Sequence, residues 1–278
     1  MGISIIVCSR NPELLSALSK NISQSIGCEY ELLFKNNNSL NSSIASVYNS
    51  LTQQAKFENI IFLHEDIEFL SSNWGSIIQQ ILSVPSIGLV GLSGSIYKSK
   101  FPGVWSAASK QTYRISGSKF LTDLNTNYLY SKVTVIDGCF MATKKKIMIN
   151  CQFDEKLKGF HCYDVDISLQ MKDKYEVVVA NEIKFHHFSE GFQNLDWLHS
   201  SFYIHKKWQM KLPAITDALE YSNCKLEDYL AAQNVYNVIH RLRFSKYLIL
   251  KFYFLFIFKY YRLNKFRYTK KTFQYFVQ

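Results

Sequence analysis

The stretch IIFLHEDIEF, residues 60–69, runs four apolar residues into His64, Glu65 and Asp66 and then turns apolar again. A buried strand ending this way presents an imidazole and two carboxylates at the rim of a sheet. Carboxylates at such a position can hold Mg²⁺ or Mn²⁺ and leave coordination positions open for phosphate oxygens. The ordinary alternative is a polar strand end capped by solvated charges. A second acidic cluster, Tyr163-Asp164-Val165-Asp166, opens what reads as a helix. Its two carboxylates lie about 200° apart around the helix axis, so only one can face a common site. Either the pair decorates a helix N-terminus, where negative charge is favourable, or one member works as a general base. The third cluster is His186-His187. Neighbouring residues of a strand face opposite ways, so one of the two is expected to reach any shared site, and His187 is the choice made here.

The elements that must position these groups follow from periodicity. ISIIVC (3–8), YELLF (30–34), NIIFL (59–63) and IGLVGL (87–92) read as short, β-branched or apolar strands. Between them lie helices: one started by Asn11-Pro12, one over 42–55 with apolar residues at helical spacing, and one over 74–82. Strand–helix alternation of these lengths implies an α/β fold with a mainly parallel sheet covered by helices. Ligands then gather beyond the C-terminal strand ends. Those ends carry Cys8-Ser9-Arg10-Asn11, Asn36-Asn37-Asn38-Ser39 and His64-Glu65-Asp66, all on one rim. Residues 93–132 have weak periodicity and read as loops and short strands forming a lid or wall. KVTVIDGCFMATKK (132–145) returns to strand character with a turn at Asp137-Gly138, and the chain reads as helical from about 193.

The chain has 278 residues, of which 47% are hydrophobic, enough for a substantial core. Its six cysteines show no CxxC spacing and suit a reducing compartment. The opening MGISIIVCSR has no basic n-region and reads as a first strand. Charge is unevenly placed: no acidic residue follows Asp228, while 241–278 holds ten basic ones, equal to the whole net charge of +10.

Taken in order, these segments resemble the GT-A glycosyltransferases of family 2, and more closely the bacterial branch grouped with a streptomycin-biosynthesis protein. The resemblance covers about residues 2–210. ISIIVCSRN resembles the family's opening strand and turn. ELLFKNNNS stands where the family has an acidic turn, with asparagines at both aspartate positions. Tyr48-Asn49 precedes the third strand, His64-Glu65-Asp66 stands for the family's Asp-x-Asp, Tyr163-Asp164-Val165-Asp166 for its acidic helix start, and HFS at 187–189 for its C-terminal histidine.

The resemblance implies a Rossmann-like GT-A domain over 1–210, with 211–278 as a helical, basic-aromatic appendage. It implies an inverting, metal-dependent transfer of sugar from a nucleotide-diphosphate donor, expected to be a UDP-sugar, to a hydroxyl of a glycan or lipid-linked acceptor in bacterial surface polysaccharide assembly. Asp66 and His187 would hold Mn²⁺ or Mg²⁺, imidazole favouring manganese. Asp164 would be the general base. Ser9, Arg10, Asn36, Asn37, Asn49, His64 and Glu65 would surround the nucleotide, and Trp105, Tyr113, Asp137 and Asp166 would line the acceptor side. Lys206-Lys207-Trp208 resembles the family's closing Lys-Trp, a candidate diphosphate contact beside the plainer reading of a solvated basic face. Two other readings stay open: a catalytically inactive, membrane-bound scaffold, favoured by the lost acids at 36, 37 and 64, and a sugar-phosphate nucleotidyltransferase, disfavoured because CSRNPE carries no glycine.

YLILKFYFLFIFKYYRL (247–263) is interrupted by Lys251 and Lys259, leaving seven uninterrupted apolar residues against the roughly 20 needed to cross a bilayer. On one continuous helical wheel Arg241, Lys251, Lys259, Arg262 and Lys265 share an arc, with aromatic and aliphatic residues opposite. Such a helix lies in the interface plane of an anionic membrane, and the resemblance implies that this membrane is the inner, cytoplasmic face of the bacterial plasma membrane. Each basic residue near the surface adds about 1 kcal/mol. The alternative is a helix packed on the body or on a second copy in a homodimer. Nucleic acid is disfavoured by the neutral body.

Overall fold

The computed structural model describes residues 2–39, 42–106, 109, 113–115, 129–189, 191–216, 221–260 and 263. The elements run β1 (Ile3–Ser9), α1 (Pro12–Ser25), β2 (Tyr30–Asn36), α2 (Ile44–Gln54), β3 (Asn59–Leu63), β4 (Ile67–Phe69), α3 (Trp74–Ser83), β5 (Ile87–Gly91), β6 (Ser93–Ser95), β7 (Tyr97–Lys98) and β8 (Tyr113–Ile115). They continue with β9 (Tyr130–Val133), β10 (Val135–Ile136), β11 (Phe140–Lys144), α4 (Lys145–Asn150), α5 (Tyr163–Met171), β12 (Glu176–Ala180), β13 (Phe185–His187), α6 (Leu195–Lys207), β14 (Ala214–Ile215), α7 (Tyr221–Arg241) and α8 (Lys246–Phe258).

Seven strands form the central sheet in the order β2-β1-β3-β11-β5-β12-β9. β1 pairs in parallel with β2 and β3, and β12 with β5. The strands expected at 87–92 and 59–63 are not neighbours. β11 lies between them, antiparallel to both, with Phe140 opposite Leu63. This insertion matters for the rim: the turn before β11 arrives beside the end of β3, where the His64 N–H donates to Cys139 O at 2.9 Å.

The central strands β1, β3 and β5 are buried on both faces, as their near-continuous apolar sequences require, while the edge strands β2 and β9 are partly exposed. Ile3, Ile5 and Val7 point to one side with Ile61 and Leu63, under Leu18 and Ile22 of α1 and Trp74, Ile78 and Ile81 of α3. Ile6, Phe62 and Met141 point to the other, under α2, α5, α6 and the C-terminal helices. Asn11 caps α1, its Oδ1 accepting from Glu13 N at 2.9 Å and Leu14 N at 3.3 Å, with Pro12 in the first turn, where its missing N–H is harmless.

A separate two-stranded sheet pairs β4 with β13, His187 standing opposite Ile67 and His186 opposite Glu68. The Phe188 N–H donates to Asp66 O at 3.0 Å and extends this contact by one residue. A segment from the C-terminal half is thereby tied to the chain leaving β3.

The C-terminal segment departs from the single helical wheel. α7 ends at Arg241, Arg243 takes a left-handed backbone (φ 49), and Ser245 caps α8 by accepting from Leu248 N at 3.3 Å. Arg241 therefore belongs to a different helix from Lys251 and Lys259, while Arg262 and Lys265 lie outside the described residues. Ile249, Phe252 and Phe256 of α8 are buried, Phe256 against Tyr229 and Tyr236 of α7 with ring centroids 5.8 and 5.5 Å apart. The aromatic face is thus divided: part is packed on the body, and Tyr247, Phe254 and Phe258 stay exposed. Among the described residues no helix is long and apolar enough to cross a membrane. Residues 221–260 contribute to the same hydrophobic cluster as α2 and α5.

If α8 is a built-in part of the fold, Phe256→Ala should cost about 3–5 kcal/mol of stability. Urea unfolding of the whole chain measures this, and a loss below about 1 kcal/mol would show that the helix is only loosely attached.

Candidate active site

The residues that could bind a cation come together at the end of β3. His64 Nδ1 lies 3.9 Å and His187 Nε2 3.4 Å from Asp66 Oδ1. One ligand atom from each of the three lies within 4.8 Å of the others. A second group of Asp137, Cys139 and His187 meets the same criterion and shares His187. β4–β13 pairing makes this meeting possible, because it holds His187 over Asp66 while His186 turns outward and stacks on Phe188 at 4.4 Å.

The protonation states follow from surroundings. Burial opposes the charge of Asp66, but hydrogen bonds from His187 and Ser189 and the positive charge of His187 outweigh it and hold its carboxyl well below the usual range. Burial lowers the His64 pKa, against the pull of Asp66 and with help from His187. His187 is also opposed by burial, yet its bond to Asp66 and the charges of Asp137 and Asp66 raise it. The Nε2 of His64 lies 2.5 Å from the Tyr163 hydroxyl, which donates to Gly138 O at 3.2 Å. With the phenolic proton on Gly138, the tautomer that satisfies both contacts carries its proton on Nε2. The lone pair on Nδ1 then faces Asp66. An ionised carboxylate, a neutral imidazole with an oriented lone pair, and a second imidazole fit a divalent ion.

Tyr163 reaches His64 only because residue 138 is glycine. A Cβ there would lie 2.4 Å from the Tyr163 hydroxyl. The same turn brings in Asp137, whose Oδ1 accepts from Cys139 N at 3.0 Å. It also faces the start of α5, where Asp164 Oδ2 accepts from Gly138 N at 3.2 Å and Oδ1 from its neighbour Val165 N at 2.8 Å. Burial, then the nearby charge of Asp137, push the Asp164 pKa up to about 7 despite these bonds.

Two cavities meet at this point. The one beside α5, about 500 Å³, is bordered by His64, His187, Asp137, Asp164, Trp105 and Arg241. The one beside β1, about 460 Å³, is bordered by Cys8, Arg10, Ile44, His64, Glu65 and Asp66. His64, Phe160, Ser189, Gly191 and Phe192 border both.

The other sequence candidates fall into two groups. Glu65 accepts from the Ser9 hydroxyl at 2.7 Å and from the backbone N–H groups of Arg10 and Asn11, so it shapes the loop after β1. Ser9 is buried in that contact, and Arg10 lies over the Phe160 ring, 5.3 Å from its centroid. Asn36 is exposed at the end of β2, whereas Asn37 is buried and donates to Ser42 O at 2.8 Å, closing its own loop. Asn49 borders neither cavity: it exchanges hydrogen bonds with the Phe153 backbone at 3.0 Å and so corrects the expectation of a nucleotide contact. Asp166 is a second correction. It is buried and accepts from Lys207 Nζ at 2.9 Å and Trp208 Nε1 at 2.7 Å, joining α5 to α6, and it does not border the α5-side cavity. Those bonds also engage the Lys207-Trp208 pair considered for a diphosphate. Trp105 and Asp137 border the α5-side cavity; the Tyr113 side chain lies outside the described residues.

Sequence reasoning missed Tyr163, Phe160, Phe192 and Arg241. Tyr163 adjoins Asp164, and that adjacency was its one available signal.

The sequence model of the Glycosyltransferase like family matches residues 4–208, about three quarters of the chain. The chain belongs to this family. No curated protein sequence matches it significantly. Among solved structures it is similar to GalNAc-T7 with UDP, GalNAc and Mn²⁺, at 13% identity and TM-score 0.54, covering 75% of this chain and 48% of that one. It is also similar to the mannosyltransferase PcManGT from Pyrobaculum calidifontis in complex with GDP-Man and Mn²⁺, at 11% identity and TM-score 0.52, covering 99% and 84%. The chain thus spans about half the length of the first of these, and both likenesses concern the fold: a GT-A α/β architecture.

A carboxyl whose folded pKa lies above its ordinary 3.8 stabilises the fold below that value and loses the contribution as pH rises through about 7. Asp164→Asn should therefore raise the thermal midpoint at pH 8 by a few degrees and leave it nearly unchanged at pH 4. Equal shifts at both pH values would show that Asp164 is not held in a charge-opposing environment.

Proposed function

We propose that the protein is an inverting, metal-dependent glycosyltransferase that moves a sugar from a nucleotide-diphosphate donor to an acceptor hydroxyl. The observation that carries this reading is the junction of the two cavities: His64 borders both, with Asp66 on one side and Asp164 on the other.

In this reading the donor occupies the β1-side cavity. Arg10 offers a guanidinium to phosphate or ribose oxygens; Asn36 lies outside the cavity lining but is exposed at the adjacent strand end, where its carbonyl is compatible with uracil N3–H, and a UDP-sugar is the donor class of this reading. Asn37 and Glu65 act indirectly by fixing the loops that hold these contacts. His64, Asp66 and His187 would hold Mn²⁺ or Mg²⁺. When bound, the ion neutralises charge on a departing diphosphate. The acceptor enters the α5-side cavity. There Trp105 offers an aromatic face to a sugar ring and Asp137 accepts from hydroxyls. Asp164 takes the proton of the attacking hydroxyl as the acceptor oxygen bonds to the anomeric carbon and the bond from that carbon to the diphosphate oxygen breaks. A base with pKa near the working pH is suited to this step.

The finer reading is a member of the bacterial branch grouped with a streptomycin-biosynthesis protein, acting on a glycan or lipid-linked acceptor in capsule, O-antigen or lipooligosaccharide assembly. The protein would work at the cytoplasmic face of the plasma membrane, held by its basic-aromatic C-terminus. The ten basic residues after 240 and the exposed Tyr247, Phe254 and Phe258 support this location.

Thermal stabilisation by a panel of nucleotide sugars with and without Mn²⁺ identifies the donor, and release of nucleoside diphosphate follows turnover. Activity should rise as pH passes upward through about 7, as Asp164 loses its proton. Asp66→Ala should lose the Mn²⁺-dependent stabilisation. Asp164→Asn should hold donor affinity within about twofold while slowing transfer roughly 10²–10⁴-fold. Equal loss of affinity and rate would remove Asp164 as the base. A panel without Mn²⁺-dependent stabilisation would end the transferase reading.

A further inference from the structure

An apolar groove of about 490 Å³ lies between α8 and the loop that follows β7. Phe101 and Pro102 form one wall, and Leu248, Phe252, Leu255 and Phe258 the other. Its size falls within the range of ligand sites. Lys251 and Lys259 stand on its border, and among the described residues no carboxylate does. Phe258 is 75% exposed and Phe254 47% exposed at its edge, although Phe252 and Phe256 of the same helix are packed inside. Large aromatics left in water along a groove mark a binding surface.

One short loop lies between the groove and the α5-side cavity and borders both. Phe101 and Pro102 border the groove, while Val104, Trp105 and Ser106 border the cavity. That loop is held from two directions. The buried Lys98 ammonium donates to Gly103 O at 2.7 Å and Val104 O at 3.2 Å. Asp228 of α7 accepts from Tyr97 at 3.1 Å and Ser99 at 2.7 Å and pairs with Lys100 at 2.8 Å. The neighbouring Glu227 accepts from Ser109 N at 2.6 Å. A fixed wall with an apolar, cation-bordered trough on one side and an aromatic sugar-binding face on the other suits a molecule with both characters.

We propose that this groove binds the hydrocarbon chain of a single anionic amphiphile, whose polar end continues past Trp105 into the α5-side cavity. The apolar floor takes the chain, and Lys251 and Lys259 complement a phosphate or similar anion attached to it. The groove as a lipid-chain site stands on its own lining; naming its occupant as the acceptor rests on the transferase reading.

Dodecyl phosphate below its micelle concentration is the probe, titrated calorimetrically into the full chain. Saturable binding at one site per chain is expected, with inorganic phosphate at least ten-fold weaker and neutral dodecyl maltoside weaker than the phosphate. Leu255→Trp, which fills the groove, and the exposed pair Lys251→Glu with Lys259→Glu should each weaken binding at least ten-fold. UDP with Mn²⁺ should bind the same sample without displacing the probe. Binding unchanged in the Lys251/Lys259 double variant, binding by inorganic phosphate as tight as by the probe, competition with UDP, or no saturable binding by the full chain would each overturn the proposal, the last including a groove covered by this chain's own end or by a second copy. Loss of UDP binding with probe binding intact would instead refute the transferase reading and leave the lipid-chain site standing.

Discussion

The site depends on one backbone contact, the antiparallel pairing of β4 with β13. Three residues on each strand make it. Through it, His187 of the C-terminal half stands against Asp66, more than a hundred residues earlier, with Nε2 and Oδ1 3.4 Å apart. Strand pairing sets register in steps of one residue, and a one-residue slip turns each side chain to the opposite face. The neighbour, His186, illustrates the consequence: it points away and stacks on Phe188. The meeting of His187 with Asp66 and His64 therefore follows from register, with Tyr163 holding the His64 ring from the other side.

Around that contact, two carboxylates a short way apart are driven in opposite directions. Asp66 is surrounded by histidines and hydrogen-bond donors and is held ionised. Asp164 sits in a half-buried niche beside the charge of Asp137 and is pushed up to about 7. Environments that separate the pKa values of neighbouring acids are how one site assigns different chemical roles to the same residue type. The first environment comes from the β4–β13 ribbon and the second from the turn before β11. Its Gly138 admits Tyr163 to His64 and lends a backbone N–H to Asp164.

The C-terminal helices are integral to the cleft. α7 lies beyond the family-matched residues 4–208, yet its Arg241 borders the α5-side cavity and its Asp228 holds the loop that carries Trp105. The same loop separates that cavity from the apolar groove of α8. Changes in α7 would be felt at the loop that carries Trp105 and so at the wall of the α5-side cavity.

Much of the fold was legible in the sequence because it is local. β1, β3 and β5 are continuous apolar runs, α1 announces itself with Asn11-Pro12, and the break between a neutral body and a basic end is a matter of counting. Asp66, Asp164 and His187 could be picked out because ionisable groups at strand ends and helix starts need a reason. Asn49 and Asp166 were picked by the same signal, and they serve as internal ties to Phe153 and to Lys207 and Trp208. A polar side chain's local sequence does not say whether its partner will be protein or ligand.

What the sequence determined by itself was the order of elements, the rim on which polar groups collect, and the excess charge after residue 240, since each depends on neighbours along the chain. Tertiary structure alone decided that β11 would insert antiparallel between β3 and β5, that Tyr163 would meet His64, and that Arg241 would leave the basic helix for the cleft. Those outcomes rest on long-range backbone pairing, a glycine's missing Cβ, and a left-handed turn at Arg243. The energies that select them come from contacts between residues far apart in the chain, to which local periodicity is blind.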